Sequence, residues 1–159
     1  MSIKNNSGFT IIEVVAVLIV IGIITAFAVG RVADNKPELI AQKEVLKVHL
    51  RYAQSRSMNS NDSYGIESDA TGDTYWLFRI VGTNRVNFPG EQSDHINLSA
   101  LGLSMDNSII VCFDSKGIPY TDFDTDNAIN LQAGDRTLTL SSGSDNEIIT
   151  ITRNTGFIQ

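Results

Sequence analysis

The chain has 159 residues, enough for one modest domain and an appendage, and carries a formal net charge of −6. That balance argues against general nucleic-acid binding, which depends on Lys and Arg neutralising phosphates. A lone cysteine, Cys112, excludes an internal disulfide.

The first eight residues, Met1-Ser2-Ile3-Lys4-Asn5-Asn6-Ser7-Gly8, are short and polar, with Lys4 the only charged side chain. Val14–Gly30 then runs for 17 uncharged residues, and Arg31 ends the run. Counted from Phe9 the stretch is 22 residues with one charge, roughly 33 Å of helix and long enough to span a bilayer. A secretory signal places its small-residue cleavage site after the apolar stretch, whereas Gly8 lies before it. The one charge is Glu13. A carboxylate inside such a helix costs roughly 2.5–3.5 kcal/mol, so it calls for a partner and a function. The free amine made by cutting after Gly8 is one such partner.

Gly8, Phe9, Thr10 and Glu13, with the run through Val29, resemble the type IV prepilin signature. The resemblance implies cleavage by a prepilin peptidase between Gly8 and Phe9, N-methylation of Phe9, and packing of the apolar helix in the core of a filament. Glu13 is then the assembly residue, paired with the Phe9 amine of an adjacent subunit. The physical logic agrees. A helix is content alone in lipid, but outside lipid its apolar side chains need sister helices to cover them. A plain signal anchor, with Glu13 near the headgroups, is the other reading.

Residues 31–60 continue as helix. Asp34 or Asn35 is a cap for a second helical segment, with Pro37 in its first turn, where proline divides or kinks the helix. Leu39, Leu46, Leu50 and Ala53, with Val45, Val48 and Tyr52, form an apolar face to pack on a β domain. Lys43, Lys47, Arg51 and Arg56 read as a solvated face.

From residue 61 the period falls to 2. Strands are expected at 74–81, 85–88, 95–98, 108–113, 128–131, 136–140 and 147–152, with turns at 82–84 and 114–117. Ser108–Phe113 is continuously apolar and reads as a central strand. The expected fold is α+β: a long N-terminal helix, apolar in its first half, on a small antiparallel sheet or sandwich. Its divisions are a leader at 1–8, a membrane or filament-core helix at 9–30, an amphipathic helix at 31–60 and a periplasmic β domain at 61–159. The C-terminal half, from Phe113 through the turn Asp114-Ser115-Lys116-Gly117 to Gly156-Phe157-Ile158, resembles GspH/FimT-type minor pseudopilins. Some relatives used in DNA uptake carry arginines in the last strand or tail. Here Arg153 stands alone, which argues against a DNA receptor.

Little else reads as chemistry. Asp122, Asp124 and Asp126 alternate as at the start of a calcium loop, but Asn127 stands where glycine is needed and Ala133 where the closing glutamate is needed. A solvated acidic turn is the plainer reading, and no cofactor is expected. His49, His95 and Cys112 share no metal spacing. The neighbours of Cys112 mark it as a small core residue. Trp76 and Phe78 share a strand face and Tyr75 takes the other, for core packing or for stacking a sugar or peptide.

The function expected is therefore assembly rather than catalysis, as a minor pseudopilin or pilin. The resemblance implies prepilin peptidase, other pilin-like subunits, an inner-membrane platform and its ATPase as partners. It places the chain in the inner membrane, single-pass with a periplasmic domain, and then in a filament. The alternatives are an anchored periplasmic β domain with a ligand-binding or hydrolytic role, and a minor pilin of DNA uptake.

Overall fold

The computed structural model describes residues 10–32, 36–82, 84–106, 108–124, 128–131 and 133–159, with side chains for all of these except 27–32 and 128–131. Two compact units divide the chain at Asp34 and Asn35. In the first, Ile11–Val32 forms helix α1. In the second, Lys36–Met58 forms helix α2, followed among the described residues by ten strands. A second helical segment with Pro37 in its first turn agrees with the expectation, while the capping positions Asp34 and Asn35 lie outside the described residues.

The strands are β1 (Tyr64–Ser68), β2 (Thr74–Arg79), β3 (Asn84–Val86), β4 (Ile96–Asn97), β5 (Ser104–Met105), β6 (Ile110–Phe113), β7 (Pro119–Phe123), β8 (Ala128–Leu131), β9 (Arg136–Ser142) and β10 (Asp145–Ile151). Seven make an antiparallel sheet in the order β3-β2-β1-β6-β7-β8, with β4 also paired to β2. The other three pair as β10-β9-β5. β6 lies inside the larger sheet, as its apolar run foretells.

The core lies between α2 and the sheets. Leu39, Leu46, Leu50 and Ala53 meet Tyr64 and Ile66 of β1, Tyr75 and Leu77 of β2, Val111 and Phe113 of β6, and Leu138, Leu140, Ile149 and Ile151 of the smaller sheet. The opposite face of the larger sheet holds a second cluster: Phe78, Ile80 and Cys112, flanked by Trp76, Ile110, Tyr120 and Phe123. A side chain at Gly65 would come 2.7 Å from both Phe78 Cζ and the Val111 carbonyl. Only glycine therefore lets the Phe78 ring lie across β1.

The buried stripe of α2 differs from the one expected. Gln42, His49 and Ser57 are inside with the leucines, while Val45 and Val48 are exposed. The face read as solvated is mostly tied down. Lys43 pairs with Glu147 of β10 at 2.8 Å, and Arg51 donates to the Ile158 carbonyl at 2.9 Å. Arg56 donates to Tyr64 Oη at 3.1 Å and lies over that ring. Lys47 pairs within the helix, with Glu44. Ser57 Oγ joins the end of α2 to the first strand by accepting the Tyr64 N–H at 2.8 Å.

Candidate assembly helix and processing site

α1 begins where Thr10 can cap it. Thr10 is non-helical, and its carbonyl accepts the N–H groups of Glu13 at 3.1 Å and Val14 at 3.3 Å. Its hydroxyl oxygen lies 3.4 Å from the Glu13 N–H, the arrangement of an N-cap threonine. Glu13 consequently sits in the first turn, where the aligned peptide dipoles favour a negative charge.

Every described side chain from Thr10 to Ala26 is exposed, including Ile11 at 86%, Leu18 at 62% and Ile24 at 61%. In that stretch Glu13 is the sole ionisable group, and Thr25 returns its hydroxyl to the Ile21 carbonyl at 2.7 Å. A helix apolar on all sides belongs in lipid or inside a bundle, since in water its surface pays the full hydrophobic penalty. Among the described residues, no helix is long and apolar enough to cross a membrane. Gly8 and Phe9, the expected cleavage and methylation positions, lie outside the described residues.

The remaining candidates do not gather. Asp122 is in β7, Asp124 follows that strand, and Asp126 lies outside the described residues. Among the described residues no group of three or more His, Cys, Asp or Glu is placed to hold a metal. His49 is buried in α2, whereas His95 bonds Asp94 at 2.8 Å on the surface. That hydrogen bond holds the Asp94 carboxyl below its usual range. Cys112 is buried, and desolvation pushes its thiol up to about 12, so it is an inert core residue.

The aromatic trio splits between the two faces. Tyr75 is buried against α2 and Phe78 is buried on the far face. Trp76 is half-exposed, but the Arg85 guanidinium covers its ring at 3.9 Å. A sugar would have to displace that cation to stack there.

Sequence reasoning missed Gln42 and Gln54, two polar residues that fasten α2. Gln42 donates to Tyr75 Oη at 3.3 Å. Gln54 Nε2 faces three carbonyls, those of Gly117 at 2.9 Å, Gly156 at 3.1 Å and Thr155 at 3.2 Å. The spacing of Gln42 from Leu39 and Leu46, three and four residues, was the available signal for the first.

Residues 3–29 match the family model described as the prokaryotic N-terminal methylation motif. The fold is similar to that of the type IV minor pilin FimU of Pseudomonas aeruginosa in two crystal forms. One shares 16% identity and a TM-score of 0.54 over 78% of this chain and 88% of that chain. The other shares 16% identity and a TM-score of 0.50 over 76% of this chain and 90% of that chain. No curated protein matches the chain. The chain thus carries a prepilin-type motif on a pilin-like fold, and the two together support a pilin-like subunit.

Proposed function

We propose that this chain is a minor structural subunit of a type IV pilus or a related secretion pseudopilus. In this reading prepilin peptidase cuts between Gly8 and Phe9, and the Phe9 amine is methylated. An inner-membrane platform and its ATPase then lift the subunit from the inner membrane into a filament beside other pilin-like subunits. The β domain stays on the periplasmic side. The role is mechanical, with no catalytic group of its own and no cofactor.

The observation that carries the reading is α1: a helix whose described side chains are all exposed and, apart from Glu13 in its first turn, uncharged, overlapping a matched methylation motif. Sister helices can cover those side chains, and a neighbouring amine can answer the carboxylate. The fold is similar to that of a type IV minor pilin, which favours a minor subunit over an anchored enzyme.

Mass spectrometry of the mature chain tests the processing step. An N-methylated Phe9 terminus is expected; an intact Met1, or cleavage beyond residue 30, sinks the proposal. For assembly, Glu13→Val is expected to abolish incorporation into filaments while leaving membrane insertion intact. Incorporation at the normal level would show that the carboxylate has no role there.

A further inference from the structure

We infer that the open edge of β10 at Asn146 and Ile148 is a docking site for an extended segment of a different, neighbouring subunit, which adds there as one more strand. The inference rests on the reading that the chain assembles beside other pilin-like subunits, and it names the surface and the mode of contact.

The molecule already uses this edge once, for its own tail. Thr150 and Gln159 each donate an N–H to the other's carbonyl at 3.0 Å, and Thr152 donates to the Phe157 carbonyl at 2.9 Å. Ile158 lies opposite Ile151. The main-chain groups of Thr150 therefore point away from β9, and those of every second residue along the strand do the same. The pairing of β10 with β9 runs one to one from Asp145 to Ile151, with no bulge to break that parity. Ile148 and Asn146 thus hold their N–H and C=O outward, in the row that the tail begins. Among the described residues neither has a main-chain partner on that side. Both residues are exposed, Ile148 at 54%.

An unpaired edge is a template for another strand, and sheets commonly guard it with charge, proline or a bulge. The outward-facing side chains here offer no such guard: Asn146, Ile148, Thr150 and Thr152 are uncharged, as are Thr137, Thr139 and Ser141 beside them on β9. On the inward row Lys43 answers Glu147 at 2.8 Å, and Asp145 adds a second carboxylate. Two copies joined edge to edge short of the tail would set Asp145 and Glu147 of one against those of the other, which like charges oppose. The occupant that fits is an extended segment of another chain, with an apolar residue opposite Ile148 and a basic one near Asp145.

The test compares amide exchange of the full chain in detergent micelles and in purified filaments that contain it. The amides of Asn146 and Ile148 are expected to exchange about ten-fold more slowly in the filament, while that of Thr150, already bonded to Gln159, changes little. Ile148→Pro removes the outward N–H without touching the β9 ladder, as proline on an edge strand allows. Its incorporation into filaments is expected to fall about ten-fold, and that of Ile148→Thr, which keeps the N–H, to stay within about three-fold of wild type. Unchanged exchange in the filament overturns the inference whatever the variants do. So does equal loss in Ile148→Pro and Ile148→Thr, which would mean side-chain contact rather than strand addition. Exchange that slows in micelles as the chain is concentrated also overturns it, because the occupant would then be a second copy. Should the wild-type chain never enter filaments, the pilin reading itself falls, and this inference with it.

Discussion

Tyr75 Oη stands 2.9 Å from His49 Nδ1, joining β2 to the buried face of α2. Gln42 donates to the same oxygen, so the tyrosine proton is directed at the imidazole and the ring proton sits on Nε2. Phe88 stacks on the imidazole at 3.8 Å, and His49 is 7% exposed. Burial among these rings lowers the His49 pKa to about 4 and raises that of Tyr75.

The pH dependence follows. Between pH 6.5 and 4 the unfolded chain binds a proton that the folded chain refuses, so stability falls as pH drops through that window. It is fully present above pH 6.5. The effect is roughly 2–3 kcal/mol at its limit. Urea unfolding of residues 35–159, the second compact unit, should show it. His49→Phe should flatten the slope over that window and cost about 1–2 kcal/mol at pH 7, because Tyr75 loses a buried acceptor. An unaltered slope in His49→Phe would remove His49 from the account.

Gly156 has φ +62°, and an added Cβ would collide with the Gly117 carbonyl and with Gln54 Nε2. Gly156→Ala must strain the backbone and part the contacts that fasten the C-terminal turn. A loss of at least about 2 kcal/mol is expected in thermal unfolding. Gln54→Ala should cost about 1–2 kcal/mol through the hydrogen bonds it forfeits. The double variant should lose less than the sum, since both act at one junction.

Leu50 and Lys43 lie on the same helix and should behave in opposite ways. Leu50 is fully buried, so Leu50→Ala should cost about 2–5 kcal/mol. Lys43 and Glu147 are partly solvated, so Lys43→Ala should cost under about 1 kcal/mol and be insensitive to salt once the pair is gone. Equal losses in denaturant would contradict this division of labour between packing and charge.

Cys112 provides a probe of opening. A buried thiol with its pKa near 12 is almost wholly protonated at pH 8 and shielded from reagents. Iodoacetamide should leave the folded chain unmodified for hours and label it promptly in urea. Rapid labelling without denaturant would mean that the far face of the sheet opens locally.

The strands that sequence revealed are those with undiluted patterns. β2, β6, β9 and β10 alternate or run apolar, and all four are present, as are the shorter β3, β4 and β8. β1, β5 and β7 were missed. Gly65 sits inside β1 for a packing reason that appears only once Phe78 lies across it, and β7 opens on Pro119 and carries Asp122, both poor strand signals. The acidic series starting at Asp122 read as a loop because local composition carries no knowledge of a neighbouring strand. On α2, hydropathy placed Val45 and Val48 inward, but the seam passes through Gln42, His49 and Ser57 because Tyr75 and the start of β1 supply hydrogen-bond partners. Glu13 was legible at once, since a lone acid in an apolar run stands out without any fold.

The crossing of Phe78 over β1 leaves a mark that outlasts general sequence drift. Because the obstacle at position 65 is partly main chain, the Val111 carbonyl, trimming the phenylalanine cannot make room for a side chain there. Distant kin that keep this sheet geometry should spell glycine at the equivalent place even where almost every other letter has changed, which offers a one-residue search tag at similarities too faint for alignment.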